Sequence, residues 1–248
     1  MSALPGAPFA KQCAGERPGA DKEEQNMDLK TAICQRRSIR GFTDRPVERE
    51  TLRQVLTLAG RAVSAVNAQP WEFAVVTGTA LGAIRREYME RLERNDPGGL
   101  PLLRYGEGIF RERRVAVGKQ LFAAMGIARE DMEKRRRWSS RGYRFFDAPA
   151  VILLMMDETA DDYTCRLDMG CVVQNLCLAA MEHGLGTCVA YQAVHYPDTL
   201  RRHLPCAKGK RFVCGVAIGY PDERFPANAV VTDRADVDSI TSWYGFDT

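Results

Sequence analysis

Residues 150–156 read Ala-Val-Ile-Leu-Leu-Met-Met, and Asp157 follows this uninterrupted apolar run. A run without polar residues at alternate positions is typical of a strand in the middle of a sheet that is covered on both faces. Shorter apolar runs at residues 72–77 and 212–218 predict further strands, and residues 187–193 predict another. The core of the chain is therefore expected to be one central sheet.

Helical patterns lie between these strands. Pro46 introduces an amphipathic segment that carries Leu52 and Val55 on its apolar face. Helices are predicted over residues 28–37, 48–61, 81–92, 167–183 and 198–204. Because these helices alternate with a few strands, the fold class is α/β or α+β with one central sheet.

The segment 167–183 is apolar around almost its whole circumference. Asp168 lies near its start, and the sequence Gly184-Leu185-Gly186 marks its end. A helix with so small a polar face must be buried on all sides. In a chain of this size, a subunit interface is the simplest way to bury it.

The composition is that of a globular protein with a sizeable core: 248 residues, 45% hydrophobic and 27% charged. A net charge of +3 argues against a general nucleic-acid binder, which would carry a stronger basic stripe. No apolar run approaches about 18 residues, so no membrane span is predicted. Residues 1–26 have no period and lack the apolar core of a signal peptide. We predict a disordered or extended arm there, followed by a single domain over residues 27–248 of a cytoplasmic protein.

Eight cysteines are present, none of them in a CxxC pair. Most lie in apolar surroundings, as Cys214 does, which favours buried thiols in a reducing compartment over a disulfide framework. His183, His195 and His203 have no metal-ligand spacing with the cysteines, so no metal site is predicted.

Residues 95–145 form a charged excursion from the predicted core. Between Arg104 and Arg144, Lys and Arg outnumber Asp and Glu by 12 to 5. Helices are predicted at about 115–125 and 129–138. We interpret the excursion as a lid over a site, and a solvated helical hairpin with no substrate role is the alternative.

Two short segments carry the chemistry of a binding site. Arg36-Arg37-Ser38-Ile39-Arg40 places three guanidinium groups and a hydroxyl within five residues, a strong clamp for a phosphate or an anionic ring. Ser64-Ala65-Val66-Asn67-Ala68-Gln69-Pro70-Trp71 places neutral hydrogen-bonding side chains just before an apolar run. Together they indicate a site for a phosphorylated, planar, redox-active cofactor.

These segments resemble the FMN-dependent nitroreductase family, and the resemblance extends over nearly the whole chain from Met27. The matching stretches are residues 36–42, 64–73, 168–187 and 214–221, followed by Asn228 and Arg234. Residues 143–149 and 243–246 further resemble a subgroup of nitrobenzoate and dinitroaniline reductases. The resemblance implies a mixed, mainly antiparallel central sheet flanked by helices. It also implies an intertwined homodimer with FMN at the subunit interface.

The resemblance assigns roles to particular residues. Arg36 and Ser38 would meet the FMN phosphate, and Arg40 would lie near the pyrimidine edge of the flavin. The implied cofactor-binding set is Arg36, Arg37, Ser38, Arg40, Ser64, Ala65, Asn67, Gln69, Tyr191, Gln192, Ala193 and Arg234.

Within that set, Ser64, Asn67 and Gln69 would reach the cofactor bound mainly by the other subunit. The stretch 191–193 takes the place of the backbone near flavin N5, and Arg234 that of a C-terminal phosphate arginine. Gln192-Ala193 stands where many relatives have Glu-Gly or Gly-Gly.

The implied activity is an FMN-dependent oxidoreductase that uses NADH or NADPH to reduce nitroaromatic or quinone-like acceptors by a ping-pong, two-electron mechanism. FMN carries the hydride chemistry, so no catalytic side chain is predicted, and Arg40 would act as an electrostatic stabiliser. Basic residues of the lid, such as Arg113 and Arg136, would attract an anionic acceptor or NADPH. One alternative keeps the fold and flavin but performs reductive dehalogenation, enone reduction or flavin fragmentation. Another is a non-catalytic flavin-binding or interaction protein.

Simpler interpretations exist for each residue. Ser38 is compatible with a helix cap, and Arg40 with an ion pair to Asp44. Asn67 and Gln69 are compatible with a turn before Pro70. Surface or core packing alone would account for Arg36, Arg37, Trp71, Tyr191, His195 and Arg234.

Overall fold

A computed structural model of the protein describes residues 27–99, 106–160 and 162–246. The predicted N-terminal arm lies outside the described residues. Two compact units are present: residues 36–230 carry the sheet, and residues 27–35 and 231–246 form the other. In the smaller unit, helix α1 spans Leu29–Gln35, and residues 231–246 form no helix or strand.

The described residues of the larger unit form four strands: β1 (Glu72–Thr77), β2 (Ala150–Asp157), β3 (Gly186–Ala190) and β4 (Lys210–Gly219). The same residues form six α-helices: α2 (Arg49–Ala59), α3 (Gly78–Glu93), α4 (Ile109–Ala124), α5 (Met132–Ser140), α6 (Tyr163–Glu182) and α7 (Pro197–His203).

The four strands form one antiparallel sheet in the order β1-β2-β4-β3. Strand β2 has a partner on each side: Ile152 pairs with Val75 of β1 and with Val216 of β4. This central place explains why its run is apolar throughout, because both of its faces are covered.

Alternate residues of β2 enter two separate cores. Val151, Leu153 and Met155 pack with the apolar face of α3, including Leu81 and Ile84. Ile152, Leu154 and Met156 point to the opposite face. There they pack with buried residues of α2 and α6, which are Leu52, Val55, Ala59, Met169, Val172, Leu176, Cys177 and Ala180. The prediction of one central sheet flanked by helices is confirmed.

The strand predicted over residues 187–193 is wrong at its end. Strand β3 stops at Ala190, and a 3-10 turn follows at Gln192–Val194. The carbonyl groups of this turn find other partners: Val194 N donates to Tyr191 O at 3.2 Å within the turn, and the Tyr88 hydroxyl of α3 donates to Ala193 O at 2.9 Å. Those carbonyls are therefore not used in a sheet ladder.

Helix α6 begins one turn before the predicted start at residue 167. Asp162 provides the reason, since its carboxylate accepts the amide of Cys165 at 2.7 Å and caps the helix. Within the single chain only one face of α6 is buried, and Leu167 is 67% exposed. Burial on all sides would need a partner and stays a prediction.

No helix among the described residues is long and apolar enough to cross a membrane. Within the same residues, no group of three or more His, Cys, Asp or Glu side chains is arranged to hold a metal ion. The cysteines at positions 165, 171, 177, 188, 206 and 214 are thiols.

Candidate active site

The segment 36–40 lies against the outer strand of the sheet. Ser38 forms a parallel bridge with Thr187 of β3, and the amide of Ile39 donates to the Thr187 carbonyl at 2.9 Å. Ile39 is buried, whereas Arg36, Ser38 and Arg40 at alternate positions are half-buried. The extended pairing therefore places these three side chains on one face. Arg37 is exposed.

The Cys188 thiol of β3 lies within reach of the charges of both Arg36 and Arg40. Burial raises the pKa of the Cys188 thiol to about 11, and the positive charges of Arg40 and Arg36 oppose that rise. The Ser38 side chain also lowers the pKa of this thiol, whose Sγ donates to the Val189 carbonyl at 3.9 Å. Arg36, Ser38 and Arg40 therefore all lie close enough to this part of the sheet edge to act on one thiol.

The buried side-chain amide of Asn228 holds the backbone of Arg40 and Gly41 in place. Asn228, which is 4% exposed, accepts the amide of Arg40 at 2.7 Å and that of Gly41 at 3.1 Å through Oδ1. Its Nδ2 donates to the carbonyls of Gly41 at 2.7 Å and Asp222 at 2.9 Å. In the sequence, Asn228 is singled out only by the resemblance. Its contacts to Arg40 and Gly41 span almost 190 positions, and such distant contacts leave no local sequence pattern.

The Arg40 guanidinium itself is lightly engaged. Its NH1 donates to the Ser38 carbonyl at 3.3 Å, and Asp44 is not among its partners within the described residues. The proposed ion pair with Asp44 is therefore wrong. Arg36 also forms no salt bridge with any residue that the structure describes. Two half-buried guanidinium groups without carboxylate partners are a favourable environment for an anion.

The loop 64–69 is held in an unusual backbone conformation. Val66, Asn67 and Gln69 have positive φ angles of 46°, 59° and 47°. Val66 is also 99% exposed, so burial of its side chain does not offset the strain. Such conformations in residues other than glycine cluster at functional sites.

Contacts to α6 hold this loop in place. The amide of Ala65 donates to both carboxylate oxygens of Asp168 at 3.3 Å, and Asp168 is buried. The Ser64 hydroxyl accepts the amide of Gln69 at 3.1 Å, which closes the loop. Asn67 and Gln69 remain exposed at its tip. Asp168 acts here as a support, a role that its place near a helix start does not reveal.

The loop and the cationic segment adjoin different parts of α6. The loop contacts Asp168, whereas the charge of Arg36 acts on the Cys177 thiol, nine residues later. Nine helical residues correspond to about 14 Å along the axis. The loop and the arginine segment therefore adjoin α6 at points two to three turns apart.

The turn after β3 provides a third group of predicted residues. Tyr191 is exposed, Gln192 half-buried and Ala193 fully buried. The Gln192 amide group lies over Gly142, where an added Cβ would come within 2.7 Å of its Cδ. Arg234 belongs to the smaller unit, where its NH1 donates to the Thr232 hydroxyl at 2.9 Å. Trp71 packs at the edge of the core, and His195 is buried beside the ring of Tyr196.

The basic excursion consists of α4 and α5, with Leu100–Tyr105 outside the described residues. Arg113, Arg114, Lys119 and Arg136 are exposed. Arg135 is already engaged, with its guanidinium 4.3 Å from the centre of the Phe122 ring. A role for these charges in substrate attraction stays a prediction.

Comparison with known proteins gives the chain its relatives. A sequence model described as "Nitroreductase family" matches residues 33–220. Nitroreductase NfnB of Mycolicibacterium smegmatis is 33% identical over 215 residues, which are 83% of this chain and 88% of that protein. A 4-nitrobenzoate reductase of Pseudomonas putida is 28% identical and is aligned over 89% of this chain and 97% of its own.

The fold agrees with these sequence matches. The crystal structure of the FMN-dependent nitroreductase NfnB from Mycobacterium smegmatis, in complex with NADPH, superposes with a TM-score of 0.81 at 30% identity. The superposition covers 88% of this chain and all of that one. With the family match over most of its length and relatives of this identity, the chain belongs to the nitroreductase family.

Proposed function

We propose that this protein is an FMN-dependent oxidoreductase that takes electrons from NADH or NADPH and reduces nitroaromatic or quinone-like acceptors. The observation that carries the proposal is the pair of half-buried arginines, Arg36 and Arg40, on one face of the segment beside β3. Neither has a carboxylate partner among the described residues. Because the chain belongs to the nitroreductase family, FMN is the anion that we assign to them.

The residues present fit FMN by their chemistry. A phosphate is bound well by fixed positive charge and a hydroxyl, which Arg36 and Ser38 would provide, with Arg37 as a further cation. A flavin ring needs neutral hydrogen-bonding groups at its edges, which Asn67 and Gln69 would provide with Ser64 and the Ala65 backbone. The turn formed by Tyr191, Gln192 and Ala193 would face the reactive part of the ring.

When bound, FMN supplies the hydride and electron transfer of the reaction. The protein contributes binding, orientation and charge. Arg40 would stabilise the negative charge that a reduced flavin carries at its pyrimidine edge, in the manner of an oxyanion hole. The fixed backbone of Arg40 makes this stabilisation preorganised, because Asn228 and Arg141 hold it before any ligand arrives.

The functional unit we infer is a homodimer. Exposed apolar residues on α6, such as Leu167, support this inference, since a second copy would cover them. The spacing between loop 64–69 and the arginines also supports it, since the loop of one copy would complete the site of the other. The buried thiols of Cys177, Cys188 and Cys214 suit a reducing compartment, and we propose a cytoplasmic location.

An absorbance spectrum tests the proposal most directly. Purified protein is expected to show flavin absorption, to release FMN on denaturation and to oxidise NADH or NADPH when a nitroarene is added. Initial rates at several fixed acceptor concentrations should give parallel reciprocal plots. A colourless protein that does not take up FMN would refute the flavin assignment, and intersecting plots would refute the ping-pong mechanism.

A further inference from the structure

Arg141 connects the basic excursion to the predicted cofactor site. It follows the last residue of α5, and its NH2 group donates to the Arg40 carbonyl at 2.9 Å and to the Phe146 carbonyl at 3.2 Å. Its NH1 group lies 3.0 Å from the carboxylate of Asp147. The side chain is only 17% exposed, so these contacts form inside the protein.

Aromatic rings support the same junction. The guanidinium of Arg141 stands 4.7 Å from the centre of the Phe225 ring. Trp138 of α5 stacks on the same Phe225 ring, with the two ring centroids 6.5 Å apart and the planes inclined by 14°. The Phe225 ring in turn lies so close to Gly41 that an added Cβ there would collide with it. The base of the excursion therefore packs directly on the residues that follow Arg40.

The backbone that follows Arg141 holds its guanidinium beside the Arg40 carbonyl. Phe145, Phe146 and Asp147 have positive φ angles of 55°, 54° and 60° in succession. This left-handed turn costs energy for residues other than glycine and must be held by its surroundings. Arg85 contributes by donating to the carbonyls of Arg144 at 3.0 Å and Ala148. The turn presents the Phe146 carbonyl and the Asp147 carboxylate to Arg141.

We propose that Arg141 is a positioning residue for Arg40, through which the helical excursion α4–α5 is fastened to the cation that stabilises reduced FMN. The effect of Arg141 on reduced FMN rests on the proposed function. The contact between Arg141 and the Arg40 carbonyl does not depend on FMN. Arg141 acts through the backbone: its NH2 and NH1 groups are occupied by Arg40, Phe146 and Asp147.

The chain offers a matched control on the same helix. Arg137 lies one turn earlier, is 78% exposed and pairs with Glu133. Arg137→Gln removes the same charge from the excursion without touching the Arg40 segment. Arg141→Gln and Arg141→Lys remove the forked contact, and the lysine variant keeps the positive charge.

The first measurement needs no cofactor. Hydrogen–deuterium exchange of the FMN-free protein is expected to become faster for the amides of residues 39–43 in Arg141→Gln and in Arg141→Lys, and to be unchanged there in Arg137→Gln. Equal exchange in all four proteins would overturn the proposal. If Arg141→Gln does not fold, the lysine variant alone decides the result.

The second measurement uses the flavin-loaded protein. Arg141→Gln is expected to favour oxidised over reduced FMN by about tenfold relative to the unmodified protein, which lowers a two-electron midpoint potential by about 30 mV. In an Arg40→Gln background the same substitution should have no further effect, because a positioning residue acts only through its target. An undiminished effect in that background would show direct action of Arg141 and overturn the proposal.

The two measurements separate the two hypotheses. Failure of the unmodified protein to bind FMN would refute the proposed function. The exchange experiment would still test the contact between Arg141 and the Arg40 carbonyl. Normal FMN binding, combined with an identical potential in Arg141→Gln and Arg137→Gln, would refute the positioning role alone.

Discussion

Asn228 binds both backbone polar groups of Gly41: it accepts the amide at 3.1 Å and donates to the carbonyl at 2.7 Å. The same side-chain oxygen accepts the amide of Arg40. Because the groups are buried, each bond contributes about 1 kcal/mol and leaves an unsatisfied group if it is removed. Asn228, which follows the last strand of the sheet, thus fixes the backbone position of Arg40.

Asn228→Ala is expected to lower the free energy of unfolding by about 2–4 kcal/mol, because it deletes four hydrogen bonds and leaves buried partners. Urea denaturation measures this change. Gln120→Ala, at an exposed position on α4, is the control and should be nearly neutral. A stability for Asn228→Ala equal to that of the control would show that the amide cluster contributes nothing.

Arg36→Gln is expected to raise the dissociation constant for FMN about 10- to 100-fold, the effect of losing a charge-assisted hydrogen bond of about 1.5–3 kcal/mol. Arg49→Gln is the matched control: the same charge is lost from an exposed side chain at the start of α2, which has no assigned role in the site. Titration of flavin fluorescence measures both. Equal losses would mean that net charge, and not the position of Arg36, governs binding.

Gly142→Ala should displace the Gln192 amide, since the new methyl group would lie 2.7 Å from its Cδ. The end of a flexible side chain can move, so we expect stability to change by less than about 1 kcal/mol and the KM for the acceptor to change while FMN affinity does not. Gly118→Ala, inside α4 with no atom within 4 Å of the new Cβ, should instead stabilise the protein by about 0.5–1 kcal/mol. If the KM for the acceptor is unaltered in Gly142→Ala, the Gln192 side chain does not contact the bound acceptor.

Leu167→Glu should shift the protein from dimers to monomers, because it places a charge on the apolar face of α6 that a second copy would cover. Sedimentation velocity over a range of concentrations detects the shift. Met132→Glu introduces the same charge at an exposed apolar position of α5 and should leave the association unchanged. Dimers that survive Leu167→Glu would place the interface elsewhere.

Asp157, the last residue of β2, gives the protein a defined acid sensitivity. Hydrogen bonds from the Thr159 hydroxyl and amide, together with the Lys210 ammonium, lower the pKa of this carboxyl from 3.8 to about 2. A carboxyl with a depressed pKa stabilises the folded state above pH 4, and this contribution is lost as the pH falls toward 2. The melting-temperature difference between the unmodified protein and Asp157→Asn should therefore shrink between pH 5 and pH 2, and a difference constant over that range would contradict this assignment.

Residues whose placement depends on burial were predictable from the sequence. The apolar run of β2 predicts a strand covered on both faces, because no other place in a sheet satisfies seven consecutive apolar residues. Proximity in the sequence and the resemblance grouped Arg36, Ser38 and Arg40 together with Arg37, and only the structure shows the alternation that leaves Arg37 exposed. The end of β3 was not predictable, since residues 191–193 contain no glycine or proline to mark a turn, and their carbonyls instead bond to partners outside the sheet.

Long-range contacts left no signal in the sequence. Arg141 is one of 12 basic residues between positions 104 and 144, and nothing local distinguishes it from its exposed neighbours. Its role comes from the left-handed turn at Phe145–Asp147 and from Phe225, which lies far along the chain. The strand order β1-β2-β4-β3 was likewise unpredictable, because periodicity identifies a strand but not its neighbours.

The junction at Trp138 and Arg141 also has an evolutionary meaning. Because Trp138 and Arg141 attach the excursion at its base, exposed residues farther along its helices can be recharged without touching these two contacts. Under the proposed roles, selection or a protein engineer could then adapt the outer surface to a new electron acceptor while the redox character of the coenzyme stayed as it was. The anchored stem would thus separate the part of the protein that chooses its oxidant from the part that determines how strongly it reduces.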